Sequence, residues 1–166
     1  MNKFYKVSFE EFKKATLKAD FLKIYDDSSI RKIYDEIILP ARSTKNSAGY
    51  DFRSPFSFLA EEGVNYLIPT GIKCEMESDK VLMCYPRSSY GFKYGFRLDN
   101  TVGVIDADYY NNADNEGHIF LGFTTGKDLF INQGDKLFQA IFTKFYIADG
   151  DDSSNERQGG MGSTGK

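Results

Sequence analysis

The sequence predicts an all-β domain, a barrel or a sandwich, preceded by a short helical segment. Two observations carry that reading. From Ile37 onward the apolar runs are short and are punctuated at close intervals by Gly, Pro, Asn and Asp. Trp is absent, but 15 Phe and 11 Tyr supply the aromatic side chains that suit strand positions. At 166 residues the chain is one domain, long enough to bury a real core.

In chain order, Ser8-Phe9-Glu10-Glu11 is a capping-box pattern, and Phe9, Phe12 and Thr16 fall near one helical face. A short helix is therefore expected over Ser8–Ala19, while Phe21–Glu36 has no clear assignment. Strands are expected at Tyr50–Arg53, Val64–Ile68, Gly71–Met76, Val81–Tyr85, Thr101–Ile105, His118–Thr124, Leu129–Ile131 and Leu137–Tyr146. Their spacing by turns is the mark of a barrel or sandwich. From Ala148 the chain is acidic and then Gly/Ser-rich, without a core-forming pattern. The expected organisation is a helical extension (1–36), a β-barrel (37–147) and a loose arm (148–166). No internal repeat is visible.

Charge and composition narrow the function. A net charge of −3 argues against nucleic acid or an anionic membrane as the main partner. No apolar run approaches the roughly 18 residues of a membrane span, and no signal peptide is visible, so the expected location is the cytoplasm. The lone His118 cannot form a histidine metal site, and Cys74 and Cys84 are too few for a zinc cluster. Those cysteines lie in strand-like segments flanking Ser78–Asp79. Buried reduced thiols are the expectation, with a cross-strand disulfide as the alternative.

The chain turns on Leu98 to Tyr109, L-D-N-T-V-G-V-I-D-A-D-Y. Gly103 inside a strand pattern implies a bulge, or another surface close to the backbone. Two aspartates follow at once, so at least one is expected where buried strand meets solvent. There a carboxylate can be desolvated enough to act as a base.

Four further pieces stand outside ordinary strand grammar. Ala48-Gly49-Tyr50-Asp51-Phe52 sets a carboxylate between aromatic positions beside a glycine turn. Pro86-Arg87-Ser88-Ser89 ends a strand with a guanidinium and hydroxyls suited to phosphate oxygens. Gly134-Asp135-Lys136-Leu137-Phe138-Gln139 feeds a strand in which the amide of Gln139 interrupts an apolar row and needs a partner. Arg157-Gln158-Gly159-Gly160-Met161-Gly162-Ser163-Thr164-Gly165 leaves backbone N–H groups free to wrap an anion. It lacks the lysine of a Walker A loop, and no helix-forming sequence follows it.

In this order the five pieces resemble the motifs of the trimeric dUTP pyrophosphatases, over about Ile37 to Lys166. The resemblance implies a jelly-roll-type β-barrel, a homotrimer with shared active sites, dUTP as substrate and Mg2+ as cofactor. The implied reaction releases dUMP and pyrophosphate, which limits uracil incorporation into DNA and supplies dUMP for thymidylate synthesis. Asp106 matches the carboxylate that activates the attacking water, and Gln139 the amide that helps hold it. Asp51 matches the acid that reaches the metal through a water. Arg87, Ser88 and Ser89 match the phosphate-contacting motif, and Arg157, Gly162, Ser163 and Thr164 the arm's grip on the γ-phosphate. Asn100, Gly103, Val104 and Ile105 match the hairpin that reads uracil. Tyr109 matches the ring that stacks on deoxyribose and leaves no room for a 2′-hydroxyl.

Two departures stand out. Met161 replaces the phenylalanine that closes over uracil in many members, with Phe92 and Tyr94 as alternative covers. Asn111–Glu116 lengthens the turn after Tyr109 and reads as a surface loop, with no catalytic role for Glu116. The rival readings are a dCTP deaminase-like or bifunctional enzyme, which would need a glutamate motif absent here, and a nucleotide-sensing regulatory protein of the same fold.

Overall fold

The computed structural model describes residues 1–154 together with Arg157 and Gly159. Its N-terminal elements are β1 (Lys3–Lys6), α1 (Phe9–Lys18), α2 (Asp27–Asp35) and β2 (Ala41–Arg42). Then come β3 (Tyr50–Arg53), β4 (Phe58–Ala60), β5 (Asn65–Pro69), β6 (Ile72–Glu75) and β7 (Lys80–Pro86). After α3 (Ser88–Tyr94) follow β8 (Arg97–Leu98), β9 (Gly103–Asp106), β10 (Phe120–Thr124), β11 (Leu129–Ile131) and β12 (Lys136–Lys144). The largest sheet runs β2-β3-β12-β7-β9, beside a β5-β10-β8 sheet and the pairs β11-β4 and β1-β6. All these pairings are antiparallel, and together they make the jelly-roll-like, mostly-β fold.

Each expected strand forms, with ends shifted by at most two residues. The short elements β1, β2, β4, β8 and α3 were not expected, because two to seven residues are too few to show a period. Arg87-Ser88-Ser89 therefore opens a helix instead of merely ending a strand, and Gly95 closes it at φ +63°. A 3-10 turn at Asp20–Leu22 runs into the unassigned Phe21–Glu36, which then forms α2, whose N-cap Asp26 accepts from the Ser29 amide at 2.8 Å.

Strand β12 carries the irregularity on which the site depends. Its register against β3 shifts between Lys136 and Phe138, so that Leu137 and Phe138 are both buried in succession. The bulge sets Lys136 and Gln139 on the same outer face, where an unbroken two-residue alternation would have opposed them.

The N-terminal segment is not an appendage to the packing. Phe4, Val7, Phe12, Leu22 and Ile30 share one buried cluster with Phe52, Phe56, Ile68, Ile72 and Leu82. Phe12 stacks on Phe56 with ring centroids 5.7 Å apart. The expected capping box is only half made. The Ser8 side chain accepts from the Glu11 amide at 3.2 Å, but the Glu11 carboxylate does not return to Ser8. It meets the buried His118 Nδ1 at 3.2 Å instead, because an imidazole N–H deprived of water needs an acceptor. The Ser8 amide donates to Glu116 at 3.0 Å.

Cys74 and Cys84 are buried and free, and burial pushes both thiols up to about 12. No helix among the described residues is long and apolar enough to cross a membrane.

Because Phe12 joins the helix to the barrel core, Phe12→Ala should cost about 3–5 kcal/mol. Urea denaturation at fixed protein concentration checks this. A midpoint equal to that of the unsubstituted chain would show that the first helix packs only superficially.

Candidate active site

Two groups of candidate functional side chains form in the chain, and they are apart. The first surrounds a cleft of about 520 Å³ whose lining includes Asn100, Gly103, Val104, Ile105, Asp106, Tyr109 and Arg157. Strand β9 forms one wall through its pairing with β7, which sets Gly103 opposite Cys84. A Cβ at Gly103 would lie 3.0 Å from the Cys84 Cβ, so the backbone is approached closely, as the glycine suggested.

Before β9 the chain makes a tight reversal. Val102 N–H donates to the Asn100 carbonyl at 2.7 Å around Thr101, whose φ is +65°. That is a γ-turn at a β-branched residue, a strained conformation of the kind found at ligand clamps. The turn delays the strand expected from Thr101, which begins at Gly103. Asp99, also on the cleft wall, accepts from Thr124 Oγ1 at 2.6 Å and anchors the hairpin to β10.

Asp106 departs from the sequence expectation. Its side chain is about half exposed, because β9 is an edge strand paired only with β7. Desolvation by its own chain is therefore small. Instead, Arg157 Nη2 donates to Asp106 at 2.6 Å and Arg157 Nε to Asp108 at 2.9 Å, with the guanidinium 5.6 Å from the Tyr109 ring centroid. Tyr109 is buried, and its hydroxyl donates to the His118 carbonyl at 2.9 Å.

The second group centres on Asp51, which is buried in β3. It accepts from Ser43 Oγ at 2.7 Å, and Lys136 Nζ lies at 2.7 Å and Arg87 Nε at 3.4 Å. Burial pushes its carboxyl up, but Lys136, Ser43 and Arg87 together hold it below the ordinary carboxylate range. Gln139 sits half-buried on β12, in register with Asp51 on one side and Tyr85 on the other. A Cβ at Gly49 would fall 2.4 Å from Gln139 Oε1, so the glycine makes room for this amide. Ser88 and Ser89 are exposed in the first turn of α3.

Neither Asp51, Arg87, Ser88, Ser89 nor Gln139 lines the cleft. Register explains why. Asp106 lies opposite Val81 and Gln139 opposite Tyr85, on the same face of the five-stranded sheet. Four residues along β7 separate them by about 13 Å, with two strand spacings of about 4.8 Å across. One chain does not bring both groups to one reacting atom.

Sequence patterns single out none of Ser43, Asp99 and Thr101, and they assign Lys136 no separate role. Only Lys136 carried a signal, its place in the Gly-Asp-Lys turn. Phe92 is exposed and Tyr94 packs toward Tyr90 at 6.0 Å, and neither lines the cleft. Met161, Gly162, Ser163 and Thr164 lie outside the described residues.

A jelly-roll barrel with a carboxylate at a strained hairpin cleft, and a separate cation-rich cluster near two hydroxyls, has the chemistry of a protein that handles phosphorylated small molecules. The comparisons name that class more closely. A family model described as dUTPase matches residues 35–165. The chain is 47% identical over 133 residues to a deoxyuridine 5′-triphosphate nucleotidohydrolase of Lactococcus lactis, covering 78% of this chain and 89% of that one. It is 34% identical over 145 residues to the protein of that name from Hahella chejuensis, covering 81% and 91%. The crystal structure of dUTPase from Streptococcus mutans superposes with a TM-score of 0.66 at 34% identity, covering 89% of this chain and 98% of that one. The chain belongs to the dUTPase family.

The Asp51 cluster makes a direct prediction. Lys136→Met keeps the stem and removes the ammonium, so the Asp51 carboxyl should titrate at higher pH, with burial then less opposed. Carbon-13 NMR of the side-chain carboxyl reads this. An unmoved midpoint would mean that Ser43 and Arg87 hold the charge without Lys136.

Proposed function

We propose that the protein hydrolyses dUTP to dUMP and pyrophosphate. The observation that carries this reading is the convergence of Asn100, Gly103, Asp106 and Tyr109 on one cleft, in a chain whose relatives bear the name of that activity. Asp106 takes a proton from a water whose oxygen attacks the α-phosphorus. The bond from that phosphorus to its bridging oxygen breaks, and pyrophosphate carries the oxygen away. A base in this position is typically worth about 10²–10⁴-fold in rate.

The remaining residues orient and select. Gln139 holds the water and the α-phosphate region, and Arg87, Ser88 and Ser89 contact phosphate oxygens. Asn100 and the Gly103–Ile105 backbone read uracil, and Tyr109 covers the deoxyribose. Arg157 grips the γ-phosphate with Gly162, Ser163 and Thr164 of the arm, while Met161 lies over the base.

The separation of Asp106 from Gln139 supports a site shared between copies of the chain, and a homotrimer is the assembly we propose. In the chain taken singly, Arg157 neutralises Asp106 and Asp108. Its transfer to a phosphate would release Asp106 to act as a base.

Magnesium fits the donor set in one way. No group of three or more His, Cys, Asp or Glu among the described residues could hold a metal by itself. A single carboxylate, Asp51, does suit an ion that keeps its waters and takes its other oxygens from a triphosphate. When bound, the ion gathers those oxygens and offsets their charge.

Pyrophosphate release assayed with magnesium should be rapid for dUTP and slow for dTTP, dCTP and UTP. Ammonia release from dCTP at a comparable rate would place the chain among the deaminases instead.

Asp106→Asn keeps the shape and removes the base, so kcat should fall by about 10²-fold or more while nucleotide binding is largely kept. Undiminished turnover would show that another group activates the water.

A further inference from the structure

We propose that the N-terminal helix is a specificity-determining brace for this reaction, holding the Tyr109 ring in place through a buried polar chain from Glu11 to His118. The inference rests on Tyr109 facing the sugar of the nucleotide, as proposed above. The segment that supplies the brace, α1, lies before the residues matched by the family model.

Tyr109 is fixed by the loop that follows it. Its hydroxyl donates to the His118 carbonyl at 2.9 Å and accepts from Asn115 Nδ2 at 2.8 Å. The loop closes on itself, with Asn111 N–H donating to the Glu116 carbonyl and Glu116 N–H to the Asn112 carbonyl, both at 3.0 Å. Gly117 makes that closure possible. Its φ is +78°, and a Cβ there would lie 2.5 Å from the Tyr109 carbonyl oxygen. The loop is thus a tight buttress behind the ring, not a slack surface insertion.

Helix α1 grips the buttress at three places. The Glu11 carboxylate meets His118 Nδ1 at 3.2 Å. The Ser8 amide and hydroxyl both donate to the Glu116 carboxylate, which also accepts from Lys73 at 3.1 Å. Lys14 Nζ donates to the Asp114 carbonyl at 3.3 Å.

The His118 tautomer follows from its neighbours. The Gly71 amide donates to Nε2 at 2.8 Å, so Nε2 is an acceptor and Nδ1 bears the hydrogen that Glu11 receives. Burial holds the imidazole neutral against the opposing pull of Glu11. With no exposed surface and both ring nitrogens engaged, the ring has one orientation, and the backbone carbonyl that receives the Tyr109 hydroxyl is set with it.

The exchange of partners at the helix start is the strongest sign of this role. Glu11 stands where it could have closed a local capping box, and Glu116 could have stayed a solvated loop acid. Each instead bonds across the boundary between helix and loop. A helix needing only its own stability gains as much from the local box.

Selectivity tests the brace. In the full chain, Glu11→Ala and Glu116→Ala should each lower the ratio of kcat/KM for dUTP over UTP by about tenfold, mainly by raising KM for dUTP and admitting the ribonucleotide. Glu11→Gln, whose amide oxygen still accepts from Nδ1–H, should keep most of the discrimination. Thermal unfolding separates this from loss of fold. If Glu11→Ala does not fold, the partly exposed Glu116→Ala decides. Folded variants that discriminate as sharply as the unsubstituted chain would overturn the brace and leave the proposed activity standing. An unsubstituted chain that hydrolyses no dUTP would overturn both.

Discussion

The bulge in β12 is the constraint on which the candidate site depends. An even alternation through Lys136-Leu137-Phe138-Gln139 would put either Leu137 or Phe138 in solvent. The extra residue buries both and leaves Lys136 and Gln139 on the outer face beside Asp51. Stacking of Phe52 on Phe138, with centroids 4.5 Å apart, holds that register from the core side. Hydrophobic burial on one face thereby fixes the polar geometry on the other.

Electrostatics then divides the acids. Asp51 is buried but surrounded by cations and a hydroxyl, which favour its charged form. Asp106 sits at an edge, partly solvated, with its charge met by Arg157. A protein of net charge −3 can hold a polyanion near these acids only if their fields are locally answered. Each acid has a cation within bonding range. The groups lie on one sheet face but far apart along it, so a single chain does not bring both to one point.

The N-terminal segment is bound into both the core and the loop behind Tyr109. It supplies core aromatics, and its first turn exchanges a local capping bond for contacts to the loop behind Tyr109. The core packing and the loop behind Tyr109, a residue of the cleft lining, are therefore joined through the same helix. The strained Thr101 is held by the hairpin's own hydrogen bonds, and the neighbouring Asp99 ties that hairpin to β10.

By itself the sequence determined the mostly-β class, the main strands and the order of polar pieces that resembles the dUTPase motifs. These are local properties, written in alternation, turn residues and short motifs. Gly103 even announced its close neighbour. The tertiary structure alone decided where the pieces meet. The β12 bulge, the exposure of Asp106, the engagement of Asp51 by Ser43 and the diversion of Glu11 to His118 all depend on partners 8 to 107 residues away. A capping box, an edge strand and a surface loop look the same in a sequence whether or not a distant partner claims them. Burial removes the water that would otherwise satisfy those groups, and it compels each to take the partner that the fold provides.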